Sequence, residues 1–297
     1  MAFCKACPRN CLVDREKSTG FCGRGKKIEI SRAAPHYWEE PCLSGTRGSG
    51  TVFFTGCNLG CVFCQNYLIS RRSSEGKPIT GDELGEIFLS LEDQGVHNIN
   101  LVTPSHYTEE LIPILERIKP SLSVPIVWNS NGYESVEMLK RLDGLVDIYL
   151  PDLKFKSAEL SKTLCGAEDY FEKAINAVKE MKRQQPADVF DGDGMMQKGV
   201  IIRHLILPNH TMDSIAILKE IKSRFSADTC VSLMCQYLPE GKAEEYPDIN
   251  RRLKRKEYAR VVDFAEKEGF TNGFTQEFTS ADESFIPEFS LKKETDA

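Results

Sequence analysis

An α/β fold, with a parallel sheet flanked by helices, is predicted by two features of the 297-residue sequence. From residue 51 onward, short apolar runs alternate about six times with amphipathic stretches of helical period, the pattern of strand–helix–strand units. Before that, 47 residues rich in cysteine lack a long apolar period and end in the turn-rich segment Ser44–Gly50, which marks a boundary. The chain is therefore read as a cysteine-rich, metal-binding extension over 1–47, a core over 48–289 and a charged tail over 290–297. Either a doubly wound sheet or a partial (β/α)6 barrel satisfies the alternation. The chemistry below favours the barrel, with its site at the C-terminal ends of the strands.

The first strand is Thr51–Thr55. Thr80 caps a helix whose apolar positions Leu84, Ile87, Phe88 and Leu91 recur at helical spacing. Strand 98–102, helix 107–118, strand 124–128, helix 134–142 and strand 146–151 follow, then helical stretches between 157 and 183. Polar Gln184–Gln197, containing Asp191-Gly192-Asp193-Gly194, reads as a loop. Strand 199–207, helix 211–224, strand 229–235, helix 254–268 and a short strand at 273–277 complete the core. The glycines of Ser44–Gly50 suit a phosphate cradle or, more simply, a flexible lead-in to the first strand.

Hydrophobic residues make up 41% of the chain and charged residues 28%, and the net charge of −6 comes with no Lys/Arg run longer than three. No basic face for a phosphate backbone is expected, so nucleic acid is not an expected partner. No apolar run approaches the roughly 18 to 20 residues that span a bilayer, and the N-terminus lacks a signal pattern. A cytoplasmic protein without membrane association is expected.

Eleven cysteines in a reducing compartment read first as metal ligands or redox groups. Cys42, Cys165, Cys230 and Cys235 are scattered, as small buried hydrophobes are. Cys57, Cys61 and Cys64 crowd into the loop that follows the first strand, Gly56-Cys57-Asn58-Leu59-Gly60-Cys61-Val62-Phe63-Cys64-Gln65-Asn66. Three thiolates at Cys-x3-Cys-x2-Cys spacing can hold three corners of a cubane cluster. A structural zinc would want a fourth close ligand, and no His or Cys follows before residue 97. One iron would stay open to a substrate or cofactor.

This loop, with Phe63 just before the last cysteine and the strand before the first, resembles that of the radical S-adenosylmethionine superfamily. The resemblance implies a [4Fe-4S] cluster whose open iron binds S-adenosylmethionine, reductive cleavage to a 5′-deoxyadenosyl radical, and hydrogen abstraction. It also implies Phe63 against the adenine, Asn66 nearby in the same loop, and a flavodoxin- or ferredoxin-type electron donor. More narrowly, Trp38–Cys42, Ser44–Gly50, Gly56–Asn66, Asn98–His106, Tyr149–Lys154 and Arg203–Pro208 resemble the pyruvate formate-lyase activating enzymes and their uncharacterised relatives. That likeness implies hydrogen abstraction from a glycyl-radical enzyme.

Carried over residue by residue, the likeness implies a cofactor site at several strand ends. Thr103 stands where the activating enzymes carry Gly-Gly-Glu. Asn129-Ser130-Asn131-Gly132 resembles their Asp-Thr-Asn-Gly, without the carboxylate. Asp152 and Lys154 match Asp-Leu-Lys, and the two point to one side of their strand. Lys154 would meet the cofactor carboxylate with Asp152 holding it, although a plain strand-end ion pair gives the same pattern. Arg203 matches an arginine that holds the cofactor, and if it points inward, His204 points outward as a structural histidine. Gln236 stands where the activating enzymes have histidine. These departures weaken the activating-enzyme reading, which the likeness along almost the whole chain keeps as the first expectation. They leave catalysis on a small molecule or a peptide as the alternative.

Cys4, Cys7, Cys11 and Cys22 place four thiolates within 19 residues, the ligand count of a structural zinc or an all-cysteine cluster. So short a segment seldom builds its own core, and a metal would supply folding energy. Zinc is the favoured expectation, an auxiliary iron–sulfur cluster or free thiols the alternatives.

Overall fold

The computed structural model describes residues 3–278 and Phe289; the tail expected at 290–297 lies outside the described residues. In chain order the elements are β1 (Ile28–His36), the one-turn α1 (Pro41–Ser44), β2 (Ser49–Phe54), α2 (Tyr67–Ser70), β3 (Lys77–Ile79), α3 (Gly81–Asp93), β4 (Ile99–Val102) and α4 (Thr108–Ile118). Then come β5 (Ile126–Ser130), α5 (Val136–Arg141), β6 (Ile148–Pro151), α6 (Ala158–Cys165), α7 (Tyr170–Gln184), β7 (Val189–Phe190) and β8 (Met196–Val200). The chain continues through β9 (Ile202–Leu205), α8 (Thr211–Phe225), β10 (Val231–Met234), α9 (Arg255–Lys267) and β11 (Gly273–Thr275).

Strands β2, β4, β5, β6 and β8 are successive parallel neighbours. Strands β9, β10 and β11 form a second parallel group. The two groups join without a gap. The Ile201 N–H donates to Tyr149 of β6, the Ile202 N–H donates to Cys230 beside β10, and Asp152 and Arg203 form a parallel bridge. Strands β8 and β9 thus share one position in a partial barrel wall, where the sequence suggested a single strand over 199–207.

Each helix is explained by the face it buries. Thr80 and Glu83 form a capping box at the start of α3, and Leu84, Phe88 and Leu91 bury against Val52 and Phe54 of β2. Each such side chain contributes roughly 1.5–3 kcal/mol by leaving water. Along the wall, Phe54, Leu101, Trp128 and Tyr149 face these helices. By alternation their neighbours Phe53, Val127, Asn129, Ile148 and Leu150 face the barrel interior. No helix among the described residues is long and apolar enough to cross a membrane.

Strands β1, β3 and β7 and helix α1 were not legible in the sequence. Strand β1 runs antiparallel to β2 and β3 antiparallel to β1, so residues before 47 extend the core sheet. Within Gln184–Gln197, β7 pairs with β8 as a hairpin rather than remaining a loop. After β1, the chain turns under the barrel. Cys42 and Leu43 of α1 pack against Val127, Ile148, Leu150, Met196, Ile201 and Cys230, and the Leu43 carbonyl accepts from Asn98 at 2.8 Å. Helix α1 therefore closes the N-terminal end of the barrel.

Candidate active site

At the opposite end, β2 runs into the three-cysteine loop. Gly56 sits at φ 80°, and a Cβ there would meet the Cys22 carbonyl at 2.7 Å, so a side chain is excluded by both backbone and space. Two of the three thiols receive donors. Asn131 Nδ2 lies 3.3 Å and the Leu59 N–H 3.4 Å from Cys57 Sγ, and Ser70 Oγ lies 3.3 Å from Cys64 Sγ. Cys61 stands beside the buried thiol of Cys165.

Burial first, then the neighbouring Cys61, pushes the Cys57 thiol up to about 12. Thiols so reluctant to ionise alone are deprotonated by a bound metal. No three His, Cys, Asp or Glu among the described residues converge as a ligand set for one ion, whereas a cubane spreads its thiolates over different irons. Sulfurs with hydrogen-bond donors aimed at them suit such a cluster. The donor set fits it.

Cys61, Cys64 and Phe63 line a cavity of about 480 Å3 that reaches down to Tyr37–Pro41 above α1. An ion network crosses it. Lys154 Nζ is 2.6 Å from Asp152 Oδ2 and Arg203 Nε 3.1 Å from Asp152 Oδ1. Arg203 Nη1 reaches Glu39 Oε2 at 3.1 Å, and Nη2 reaches Asn129 Oδ1 at 2.6 Å. Glu39 Oε1 also accepts from Asn100 and Asn129, both at 3.1 Å. Burial raises the Asp152 carboxyl, but Lys154 and Arg203 outweigh it and hold the group below the ordinary range. Glu39 is raised by burial, with Arg203 opposing. Three of the five N–H donors of Arg203 are engaged in this network; the rest remain for a ligand.

The structure brings Phe63, Asn66, Asn129, Asp152, Lys154, Arg203 and Gln236 to this cavity. Phe63 is buried beside Phe155 and Tyr237, and Gln236 Oε1 accepts from Gln276 at 2.8 Å. Two candidates lie elsewhere. Asn131 donates to Cys57 and, at 2.7 Å, to Asn58 Oδ1, which supports the cysteine loop instead of the cavity wall. Thr103 is not among the cavity-lining residues; it turns the chain at φ 59°, a conformation unusual for a β-branched residue. His204 is buried facing α8, between the Leu153 carbonyl at 2.7 Å and Ser214 Oγ at 2.8 Å.

Glu39 and Glu40 were not singled out from sequence. The available signal was two consecutive carboxylates immediately before a proline at a helix start, which placed together inside a fold demand partners.

The four N-terminal cysteines are near neighbours, although no three of them converge as ligands of one ion. A Cβ on Gly20 would lie 3.4 Å from Cys11 Sγ and 3.7 Å from Cys22 Sγ, and Phe21 N–H donates to Cys11 Sγ at 3.2 Å. Cys7 feels Cys22 and Cys4, and burial above all pushes it up to about 12. Asn10 and Leu12 flank Cys11 at φ 48° and 54°, a tight knuckle that costs Leu12 about 1–2 kcal/mol. This knuckle is docked on the cluster loop. Arg9 donates to the Asn58 carbonyl at 2.8 Å and to the Gly166 carbonyl at 2.6 Å, with its guanidinium 3.8 Å from the Phe21 ring centroid.

Comparison with known proteins bears on the family and the fold. An uncharacterised protein of Methanocaldococcus jannaschii is 36% identical over 273 residues, spanning 89% of this chain and 74% of that protein. The fold is similar to that of a methylornithine synthase, with a TM-score of 0.51 and 17% identity over 74% of this chain and 68% of the other. It is also similar to the hydrogenase maturase HydG of Carboxydothermus hydrogenoformans, with a TM-score of 0.51 and 16% identity over 77% of this chain and 54% of the other. At such identities these two likenesses concern the fold alone. The sequence pattern of the radical SAM superfamily matches residues 51–221, more than half of the chain, and the protein belongs to that superfamily.

Proposed function

We propose that this protein abstracts hydrogen from a small molecule or a peptide side chain held in the cavity between the cysteine loop and the Tyr37–Pro41 floor. Cys57, Cys61 and Cys64 would hold the [4Fe-4S] cluster, and Lys154 and Arg203 would receive the carboxylate of S-adenosylmethionine. When bound, cluster and cofactor together supply one-electron cleavage and a carbon radical, with the electron drawn from a flavodoxin- or ferredoxin-type donor. The protein's part is placement. Asp152 and Glu39 fix Lys154 and Arg203 before any ligand arrives, so little rotamer entropy is lost on binding. Phe63, Phe155 and Tyr237 keep water from the loop side. The observation that carries the proposal is the shared cavity: two of the three loop thiols and both cations line it.

Each of Lys154→Ala and Arg203→Ala is expected to weaken S-adenosylmethionine binding by about 1–3 kcal/mol, because a ligand carboxylate is left short of donors in a dry site. Titration of the reconstituted variants checks this, and unchanged affinity in both would remove the assignment. The strand-end likeness at Tyr149–Lys154 favours a second reading, activation of a glycyl-radical enzyme. Under that reading, an added partner enzyme acquires a glycyl radical signal.

The N-terminal thiols are proposed to hold one zinc. Four soft ligands on one short, docked segment support this, and binding would draw together thiols that do not converge on one point in this structure. Converting Cys4, Cys7, Cys11 and Cys22 together to serine should release about one zinc per chain and lower the melting temperature, while the spectrum of the radical cluster persists. Loss of about four irons instead would identify an auxiliary cluster.

A further inference from the structure

Residues 3–27 hold no helix or strand, yet they grip both ends of the loop that carries Cys57, Cys61 and Cys64. At the near end the grip is Arg9. Its Nε donates to the Asn58 carbonyl at 2.8 Å and its Nη1 to the Gly166 carbonyl at 2.6 Å. Gly166 caps α6, and the last carbonyls of a helix have no N–H of their own helix to accept from. The cysteine loop takes two of them. The Gly60 N–H donates to the Cys165 carbonyl at 3.1 Å and the Val62 N–H to the Leu164 carbonyl at 2.9 Å. Those two N–H groups flank Cys61, so one guanidinium ties together the two segments that set where Cys61 stands.

Asn58 carries the grip on to Cys57. Its Oδ1 accepts from Asn131 Nδ2 at 2.7 Å, and the same nitrogen lies 3.3 Å from Cys57 Sγ. At the far end of the loop, Arg24 Nη2 donates to the Arg72 carbonyl at 3.3 Å, and Arg72 Nη2 donates to the Gly20 carbonyl at 3.4 Å. Gly23, at φ 76°, lies against that backbone so closely that a Cβ would meet Arg72 Cα at 2.5 Å. Ser70, the donor to Cys64, stands two residues before Arg72. Phe21 joins the two ends, with the guanidinium of Arg9 3.8 Å and that of Arg72 6.0 Å from its ring centroid, within reach of cation–π attraction.

We infer that Arg9 is a positioning residue for the cluster, the main contact of a clamp by which the N-terminal segment keeps the three loop thiols at cluster spacing. The inference rests on Cys57, Cys61 and Cys64 holding the cluster, and it deepens that reading. It stands on Arg9, Phe21 and Arg24 whichever metal the four N-terminal thiols take. A cluster held by three protein thiolates has no protein ligand in reserve, so a loop free to wander lets it go. Arg9 does not line the cavity, and its effect on S-adenosylmethionine is therefore indirect.

The test is cluster retention. Anaerobically reconstituted wild type, Arg9→Lys and Arg9→Ala are held in excess iron chelator. The surviving cluster is counted by the reduced paramagnetic signal that changes on adding S-adenosylmethionine, so metal at the N-terminal thiols does not enter the count. Arg9→Ala should lose this signal at least tenfold faster than wild type. Arg9→Lys, a single ammonium without the two-pronged fork, should fall between the two. Before release begins, the Arg9→Ala signal should still respond to S-adenosylmethionine. With the cluster removed, Arg9→Ala should melt within about 5 °C of wild type, as loss of two hydrogen bonds on a half-buried side chain predicts. A smaller increase in release rate overturns the proposal, as does Arg9→Lys releasing as fast as Arg9→Ala. A larger fall in the melting temperature of the cluster-free variant also overturns it, because faster release would then report general unfolding. An Arg9→Ala cluster that no longer responds to S-adenosylmethionine overturns it too, by assigning Arg9 to the cofactor. Wild type that shows no such signal would overturn the cluster reading itself, and the clamp with it.

Discussion

Replacing Glu39 by alanine is expected to destabilise the fold by about 3–5 kcal/mol, the range for removing one partner of a buried ion pair. The carboxylate holds Arg203 Nη1, Asn100 Nδ2 and Asn129 Nδ2 at 3.1 Å each. Without it a guanidinium and two amides lose partners in the barrel interior. For a domain of this size the loss corresponds to a fall in melting temperature of roughly 6–20 °C. Glu39→Gln keeps one acceptor and should cost less. Thermal and denaturant unfolding of both variants measures the difference. A Glu39→Ala protein within about 1 kcal/mol of wild type would show that the network is not structural. The expected effect on the site is equally direct. Arg203 freed from Glu39 has more rotamers, so S-adenosylmethionine binding should weaken as well, although Glu39 is not proposed to touch the cofactor.

The network also shows what was legible in the sequence and what was not. Most strands and helices from β2 onward, the short β3 and β7 apart, were readable because each buries one face, and burial imposes a period on the sequence: Leu84, Phe88 and Leu91 on α3, or outward Trp128 beside inward Val127 and Asn129 on β5. Inward Arg203 with outward His204 followed from the same parity. Strand β1 was harder, because its register shifts between Ile30 and Arg32 and breaks the alternation that marks a strand. Glu39 and Glu40 were beyond reach for a different reason. Their meaning depends on α1 folding back under strands that come up to about 190 residues later, a closure no local pattern encodes. Asn131 shows the converse limit. The resemblance marked its motif as part of the cofactor site, but the side chain turns to Cys57 and Asn58, so the motif supports the loop from behind.

The loop itself is the centre of the account, and the largest loss of function is expected there. Changing Cys57, Cys61 and Cys64 together to alanine should abolish cleavage of S-adenosylmethionine altogether, because the thiolates that would hold the cluster in this loop are gone. Folding should persist, since Asn58, Arg9 and Gly56 still tie the loop to Tyr133, Gly166 and Ile69. The direct measurement is iron content together with the paramagnetic resonance of anaerobically reconstituted, reduced protein, with and without S-adenosylmethionine. The account predicts about four irons in wild type in addition to any N-terminal metal, a signal that changes when S-adenosylmethionine is added, and neither in the triple variant. A triple variant that retains those irons and still responds to S-adenosylmethionine would contradict it.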